Sequence, residues 1–245
     1  MKTYKQTYEE EGLIIKTFED NSIVKDVSTM IDRRFNESDD YYLNLSRDDF
    51  HDIALDAQKE LNTMNIQHRF FKSEHGLFDS IFYNQKLLHE SVIFFRAVRP
   101  IKKNIKMEAP DFHRETWYSD HPHTPFCINT WIPIKNVDER NTLRYYPFSH
   151  KIPDDELSIE VDHDAPGKVD KFSSGHKLGF LWKPKKLKDD IDIGSPQKMN
   201  FLKNSYTIFS PMLIHGGAEN HSDKIRFAVP PPFTSIFAFC CLNSL

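Results

Sequence analysis

Between Ser91 and Cys241 the sequence breaks into short runs rich in β-branched, aromatic and aliphatic residues. The runs are SVIFFRAVRP, FCINTWIPI (126–134), TLRYYPF (142–148), HKLGFLWKP (176–184), QKMNFLK (197–203), SYTIFSPMLIH (205–215), IRFAV (225–229) and FTSIFAFCC (233–241). About eight such runs in roughly 150 residues predict an antiparallel sandwich or barrel. The first 90 residues have a different texture. SRDDFHDIALDAQKEL opens on Ser46, a good N-cap, with acids in the first turn. Its apolar residues Phe50, Ile53, Ala54, Ala57 and Leu61 recur at helical spacing. A second helix is predicted from Leu77 to Leu88, and both helices should lay one face on something flat. The fold class expected is therefore mainly β with flanking helices, the N-terminal helices packed on one sheet. The 245 residues fit one domain: 1–90 mainly helical, 91–241 the β core, with a polar, acidic insertion at about 150–175.

Several functional classes are excluded by charge and composition. The formal net charge is −4, which argues against a nucleic-acid binder. Lys185, Lys186 and Lys188 are followed at once by Asp189 and Asp190 and read as a solvated loop. The three cysteines, Cys127, Cys240 and Cys241, have neither disulfide-framework nor zinc-finger spacing, and a reducing cytoplasm is expected. The N-terminus lacks a signal-peptide apolar core, and no apolar run approaches the roughly 20 residues that cross a membrane.

The chemistry is concentrated in two places. In HRETWYSD, His113 and Glu115 stand two apart, and on a strand they would project from one face with Arg114 on the other. That is two-thirds of a 2-His-1-carboxylate triad of the kind that holds non-haem Fe(II). Alone, the spacing is a weak signal, and a structural polar pair is its commoner use. In SPMLIHGGAENHSDKIRFAV, His215 ends an apolar strand before Gly216 and Gly217, and Arg226 begins the next strand. A hairpin centred near Asn220 would set Arg226 opposite His215, where a guanidinium can hold a carboxylate. The alternative is a surface loop with a charged strand start.

Together these segments resemble the Fe(II)/2-oxoglutarate-dependent oxygenases, in their phytanoyl-CoA dioxygenase-like branch. The likeness runs over about 90–229: His113-Arg114-Glu115, then Trp131-Ile132-Pro133-Ile134, Asp138, Asn141-Thr142-Leu143, Pro147-Phe148-Ser149-His150-Lys151, then His215 and Arg226. The chain departs from the pattern in using Glu115 rather than Asp. It also has Thr142 at a turn glycine, Phe148 for the glycine of Pro-Gly-Ser-His, and Gly217 where some relatives have serine. Pro230 to Pro232 would interrupt the last strand.

The resemblance implies a double-stranded β-helix (a jelly roll). It implies Fe(II) on His113, Glu115 and His215, with 2-oxoglutarate and O2 as co-substrates and Arg226 on the distal carboxylate. It further implies hydroxylation of a small-molecule substrate with release of succinate and CO2. Glu115 favours hydroxylation over halogenation, which needs a small residue there. Arg96 and Arg99 lie on the strand before His113; their spacing sends one inward, and Arg96 is the expected co-substrate contact, a salt bridge being its alternative. Of Asn129 and Thr130, one should face the cavity, and Thr130 is taken as the cofactor contact. Trp117 and Tyr118 are candidates for the pocket wall or for packing. His121 and His123 read as loop residues, and His163, His176 and His221 as exposed. Neither nucleic acid nor membrane is expected as a partner, and the protein is a monomer or homodimer. Two other readings stay open: a cupin-like metal enzyme without 2-oxoglutarate, and a non-catalytic ligand-binding jelly roll.

Overall fold

The structure is a computed structural model describing residues 2–82, 87–89, 93–101, 111–118, 127–161, 185–188, 192–216, 219–231 and 233–235. Six helices and one strand make up the N-terminal part: α1 (Tyr4–Glu11), β1 (Leu13–Thr17), α2 (Ser22–Arg34), α3 (Asp39–Asn44), α4 (Arg47–Thr63), α5 (Ile66–Ser73) and α6 (His75–Phe82). There follow β2 (Leu87–His89), β3 (Arg96–Val98), α7 (Glu115–Tyr118), β4 (Cys127–Lys135), β5 (Arg144–Tyr145), β6 (Ile159–Val161) and β7 (Lys185–Leu187). The last strands are β8 (Gln197–Lys198), β9 (Ser205–Phe209), β10 (His215–Gly216), β11 (Arg226–Val229) and β12 (Phe233–Ser235).

The cap of α4 is as expected. The Ser46 hydroxyl accepts from the Asp49 N–H at 3.1 Å, and Asp48 and Asp49 sit in the positive first turn. Phe50, Ala54, Ala57 and Leu61 form its buried stripe. The helix predicted over 77–88 stops at Phe82, and Leu87–His89 is instead a strand that pairs β12. β1 was not anticipated. It is the edge of the large sheet, antiparallel to β9 from Leu13↔Phe209 to Thr17↔Ser205. Gly12 makes the sharp exit from α1 possible: its φ is +80°, and a Cβ there would strike the His150 ring.

The sheets are antiparallel. A seven-stranded sheet runs β1-β9-β4-β11-β3, with β12 pairing β4 and β2 off that path. A three-stranded sheet runs β10-β5-β8, and β6 pairs β7. β4 is the hub, bonded to β9, β11 and β12 along its length. Both faces of the large sheet are covered. On one, Ile128, Ile132, Tyr206, Ile208, Phe227 and Val229 meet Val27, Ile31, Phe50, Leu61 and Phe70 of the helices. On the other, Trp131, Phe209 and Ala228 meet Leu213, Met199, Leu143 and Tyr145, which belong to the small sheet or flank it. Each fully buried side chain of this size contributes roughly 1.5–3 kcal/mol before conformational entropy is counted.

Other runs differ in extent. SYTIFSPMLIH is broken, because Pro211 carries no N–H and Leu213 closes a turn on the Ser210 carbonyl at 3.0 Å; β10 starts afresh at His215. Lys185 and Lys186 lie not in a solvated loop but in β7, opposite Val161 and Glu160. The prolines after Val229 do end β11, and the chain resumes as β12 at Phe233 against Ile128. The run 176–184, residues 162–175 of the expected insertion, and Cys240 and Cys241 fall outside the described residues. Among the described residues no helix is long and apolar enough to cross a membrane.

Candidate metal centre

His113 and His215 form an isolated antiparallel bridge, each backbone N–H donating to the other's carbonyl at 2.9 Å. This exchange sets their rings side by side, with centroids 4.6 Å apart and planes inclined at 50°. Glu115 joins them by a route that strand periodicity does not describe. The chain turns at once into α7, the Glu115 N–H donates to the Pro211 carbonyl at 3.1 Å, and the side chain swings back. Glu115 Oε1 lies 4.0 Å from His113 Nε2 and 3.7 Å from His215 Nε2. One ligand atom from each residue lies within 4.8 Å of the others, as a single cation would require.

The ring tautomers follow from the acceptors. His113 Nδ1 is 2.6 Å from the Asp111 carbonyl, and His215 Nδ1 is 2.9 Å from the Leu213 carbonyl. A carbonyl only accepts, so each Nδ1 carries the proton and each Nε2 presents its lone pair toward Glu115. Burial pushes His113 down to about 3, reinforced by His215, so the imidazole is in its neutral, ligating form. Burial alone would raise the Glu115 carboxyl; the adjoining His215 and His113 rings and the charge of Arg96 outweigh it and hold it near 2. Two imidazoles that turn Nε2 inward and a carboxylate form the 2-His-1-carboxylate set that suits non-haem Fe(II).

Arg114 points away, as expected, and it is fully buried. It pairs with Asp154, donates to the Ser149 carbonyl at 2.5 Å and the Ile152 carbonyl at 2.6 Å, and lies over the Trp117 ring. Trp117 is packed in the core and bonds Asp154 at 3.0 Å, so it is no free pocket wall. The Ser149 hydroxyl in turn accepts from the Ile214 N–H at 2.9 Å. Arg114 and Ser149 thus brace both ligand-bearing segments. Sequence reasoning missed this brace, although Ser149 lies in a quoted motif.

Arg226 is buried on β11 and donates to the Asn141 carbonyl at 2.7 Å. Burial, then the charge of Arg96, lowers it to about 10, which leaves it cationic at neutral pH. It does not reach this place by a hairpin with His215. β10 pairs β5 in the small sheet, while β11 pairs β3 and β4 in the large one. Arg96, paired with Ala228 on the neighbouring strand, acts on Glu115, His113 and Arg226 alike, so it faces the site. Arg99 goes the other way, to the Tyr42 and Leu45 carbonyls over Phe50.

Thr130 is a correction. It shares the helix-facing side of β4 with Ile128 and Ile132, and its hydroxyl donates to the Pro231 carbonyl. Asn129 is the residue that faces the site, opposite Phe209, whose ring lies 4.7 Å from the His215 ring. His221 is exposed and pairs with Glu219 at 2.9 Å. His121, His123, His163, His176, Gly217 and the Tyr118 side chain fall outside the described residues.

Paired antiparallel sheets, a His-carboxylate-His set with both imidazoles buried and two nearby arginines define the class of non-haem iron, 2-oxoglutarate-dependent oxygenases. The chain belongs to the phytanoyl-CoA dioxygenase (PhyH) family, whose model matches residues 15–228. No curated protein matches the sequence. Among solved structures it is similar to the non-heme monooxygenase ThoJ in its apo form, with 11% identity, a TM-score of 0.57, and 95% of this chain and 77% of that one covered. It is also similar to EvdO2 from Micromonospora carbonacea var. aurantiaca, complexed with 2-oxoglutarate, with 13% identity, a TM-score of 0.55, and 94% and 89% covered. AviO1 from Streptomyces viridochromogenes Tue57 matches at 13% identity and a TM-score of 0.52, with 94% and 93% covered. At these identities the likeness establishes the shared fold.

Proposed function

We propose that this protein is an Fe(II)- and 2-oxoglutarate-dependent dioxygenase that hydroxylates a small-molecule substrate. It is read as one domain over 1–245, helical to about residue 90, with a double-stranded β-helix over 91–241 and an insertion at about 150–175. The facing seven- and three-stranded sheets, with the site between them, support the β-helix. A reducing cytoplasm suits Fe(II) and the three cysteines.

His113 and His215 would hold iron through Nε2, and Glu115 through its carboxylate. Arg226 and Arg96 supply two cations for a dicarboxylate, and a buried arginine suits bidentate carboxylate binding. Bound iron and 2-oxoglutarate supply the oxidising chemistry, with O2 consumed and succinate and CO2 released. The protein's part is to fix both imidazole tautomers through the Asp111 and Leu213 carbonyls, to keep Glu115 ionised, and to seat the co-substrate beside Arg226 and Arg96.

The observation that carries this reading is the convergence of two tautomer-locked Nε2 atoms and a carboxylate beside two site-facing arginines. Fe(II)-loaded protein given 2-oxoglutarate and O2 should form succinate above the iron blank, slowly even without substrate, and His215→Ala should abolish it. Iron binding without succinate and without 2-oxoglutarate affinity would instead favour a cupin-like metal enzyme. Absence of iron affinity, unchanged by His215→Ala, would favour a non-catalytic jelly roll.

A further inference from the structure

Among the described residues, two uncharged side-chain groups buried on the site-facing side of the large sheet have no hydrogen-bond partner: Asn129 Nδ2 and Thr207 Oγ1. The register of β4 and β9 sets Asn129 opposite Phe209 and Trp131 opposite Thr207, so all four share one face. That face packs on the small sheet, because Trp131 and Phe209 join Leu213 and Met199 there, while Ile128, Ile132 and Ile208 turn to the helices. Phe209 touches His215, so Asn129 stands one cross-strand pair from a metal ligand. Thr207 is completely shielded from solvent.

An amide N–H or a hydroxyl buried without a partner costs free energy that an apolar residue of the same shape does not. Valine would fill the Thr207 site with the same branching and without that cost. A ligand bearing oxygen atoms between the sheets would satisfy both. The donors that need it are an amide near the metal and a hydroxyl farther along the same face.

We infer that Asn129 and Thr207 are co-substrate-binding residues, each donating a hydrogen bond to an oxygen of 2-oxoglutarate and so completing from the β4–β9 side a pocket that Arg226 and Arg96 provide with charge. The inference rests on the 2-oxoglutarate reading. Its physical signature is a trade-off between the stability of the ligand-free protein and ligand affinity.

The test uses Thr207→Val, Thr207→Ser, Asn129→Leu and, as a control on the opposite face, Thr130→Val. Metal-free melting temperatures are measured first. 2-Oxoglutarate is then titrated calorimetrically and by charge-transfer absorbance into Fe(II)-loaded protein under argon. Thr207→Val and Asn129→Leu should melt no lower than wild type and bind 2-oxoglutarate about tenfold more weakly or worse, as expected for a lost bond to a charged acceptor. KM for 2-oxoglutarate should rise while kcat at saturation changes little. Thr207→Ser should retain most of the affinity, and Thr130→Val should melt lower with unchanged affinity. A Kd within about twofold of wild type in both Thr207→Val and Asn129→Leu overturns the inference, whether or not their melting temperatures fall. If wild-type protein binds iron but no 2-oxoglutarate, the underlying functional reading fails, and the inference with it.

Discussion

Replacing Arg114 by methionine tests whether the metal-binding segment is braced from behind. Methionine keeps most of the aliphatic volume and removes every donor. Asp154 is half exposed, so water takes over its solvation and its share of the loss is small. The loss is concentrated in the Ser149 and Ile152 carbonyls, at about 1–3 kcal/mol for each buried bond left unmade. Against this stands the cost of burying a guanidinium, visible in the lowered pKa of Arg114, which methionine does not incur. The balance is a loss of about 2–3 kcal/mol. At ~2–4 °C per kcal/mol for a chain of this length, the melting temperature should fall by about 4–12 °C. The brace also predicts a second effect. Ser149, released by Arg114, is the acceptor that fixes Ile214 beside His215, so metal affinity should drop about 10- to 100-fold. Circular-dichroism melts of metal-free protein measure the first effect, and anaerobic Fe(II) or Co(II) titration well below the variant's melting point measures the second. Asp154→Asn, which spares the carbonyl bonds, should lose less than about 1 kcal/mol. An Arg114→Met protein with wild-type melting and wild-type metal affinity would refute the brace.

Gly216→Ala should impair metal binding without touching a ligand. Gly216 has φ +133°, and a Cβ there would collide with the Asp111 carbonyl that orients His113, so Co(II) affinity should fall at least about tenfold. Acid should destabilise the metal-free protein. His113 is held at about 3 against an ordinary 6.5, so below pH 6.5 the unfolded chain takes up a proton that the folded one refuses. Stability is therefore fully present above 6.5 and falls steadily toward 3, by about 2 kcal/mol per 1.5 pH units. Glu115, held near 2 against 4.5, adds a loss of the same sign below 4.5. Urea unfolding from pH 7 downward should show this slope, and His113→Gln should flatten it between pH 6.5 and about 5; an unchanged slope would contradict the assignment.

The parts of the fold legible in the sequence were those written in short-range patterns. The Ser46 cap, the stripe of α4 and strands within the runs FCINTWIPI, SYTIFSPMLIH and IRFAV survive in the structure. So does the opposed placement of Arg96 and Arg99, which their spacing of three requires on a strand. What stayed hidden depended on pairing. β1 is five residues whose strand character comes from β9, at the far end of the chain. The side of β4 that faces the site was equally hidden. Ile128, Ile132 and Trp131 are all apolar because both faces of that strand are covered, so alternation carries no sign there. Thr130 and Asn129 could be told apart only through the register with Phe209 and the bond to Pro231. His113 and Glu115 were rightly grouped but for an incomplete reason, since a turn into α7 and the bridge to His215 bring them together.

The motif residues between the ligands supply the frame of the site. Asn141 lends its carbonyl to Arg226, while its side chain bonds the Asn136 carbonyl, Asn220 and Ser222 and so ties the turn after β4 to the approach to β11. Ser149 joins Arg114 to Ile214. Phe148 shows how strongly this frame constrains the backbone. It stands where the resembled family has glycine, and it adopts φ +62°, a conformation that costs a residue with a Cβ about 1–2 kcal/mol. Its side chain is largely exposed, so packing does not compensate. The turn it makes carries the chain into the short 3₁₀ segment of Ser149–Lys151, where the Ser149 carbonyl meets Arg114 and its hydroxyl meets Ile214. Phe148 therefore keeps a left-handed turn without a glycine, because the bonds on either side of it hold that turn in place.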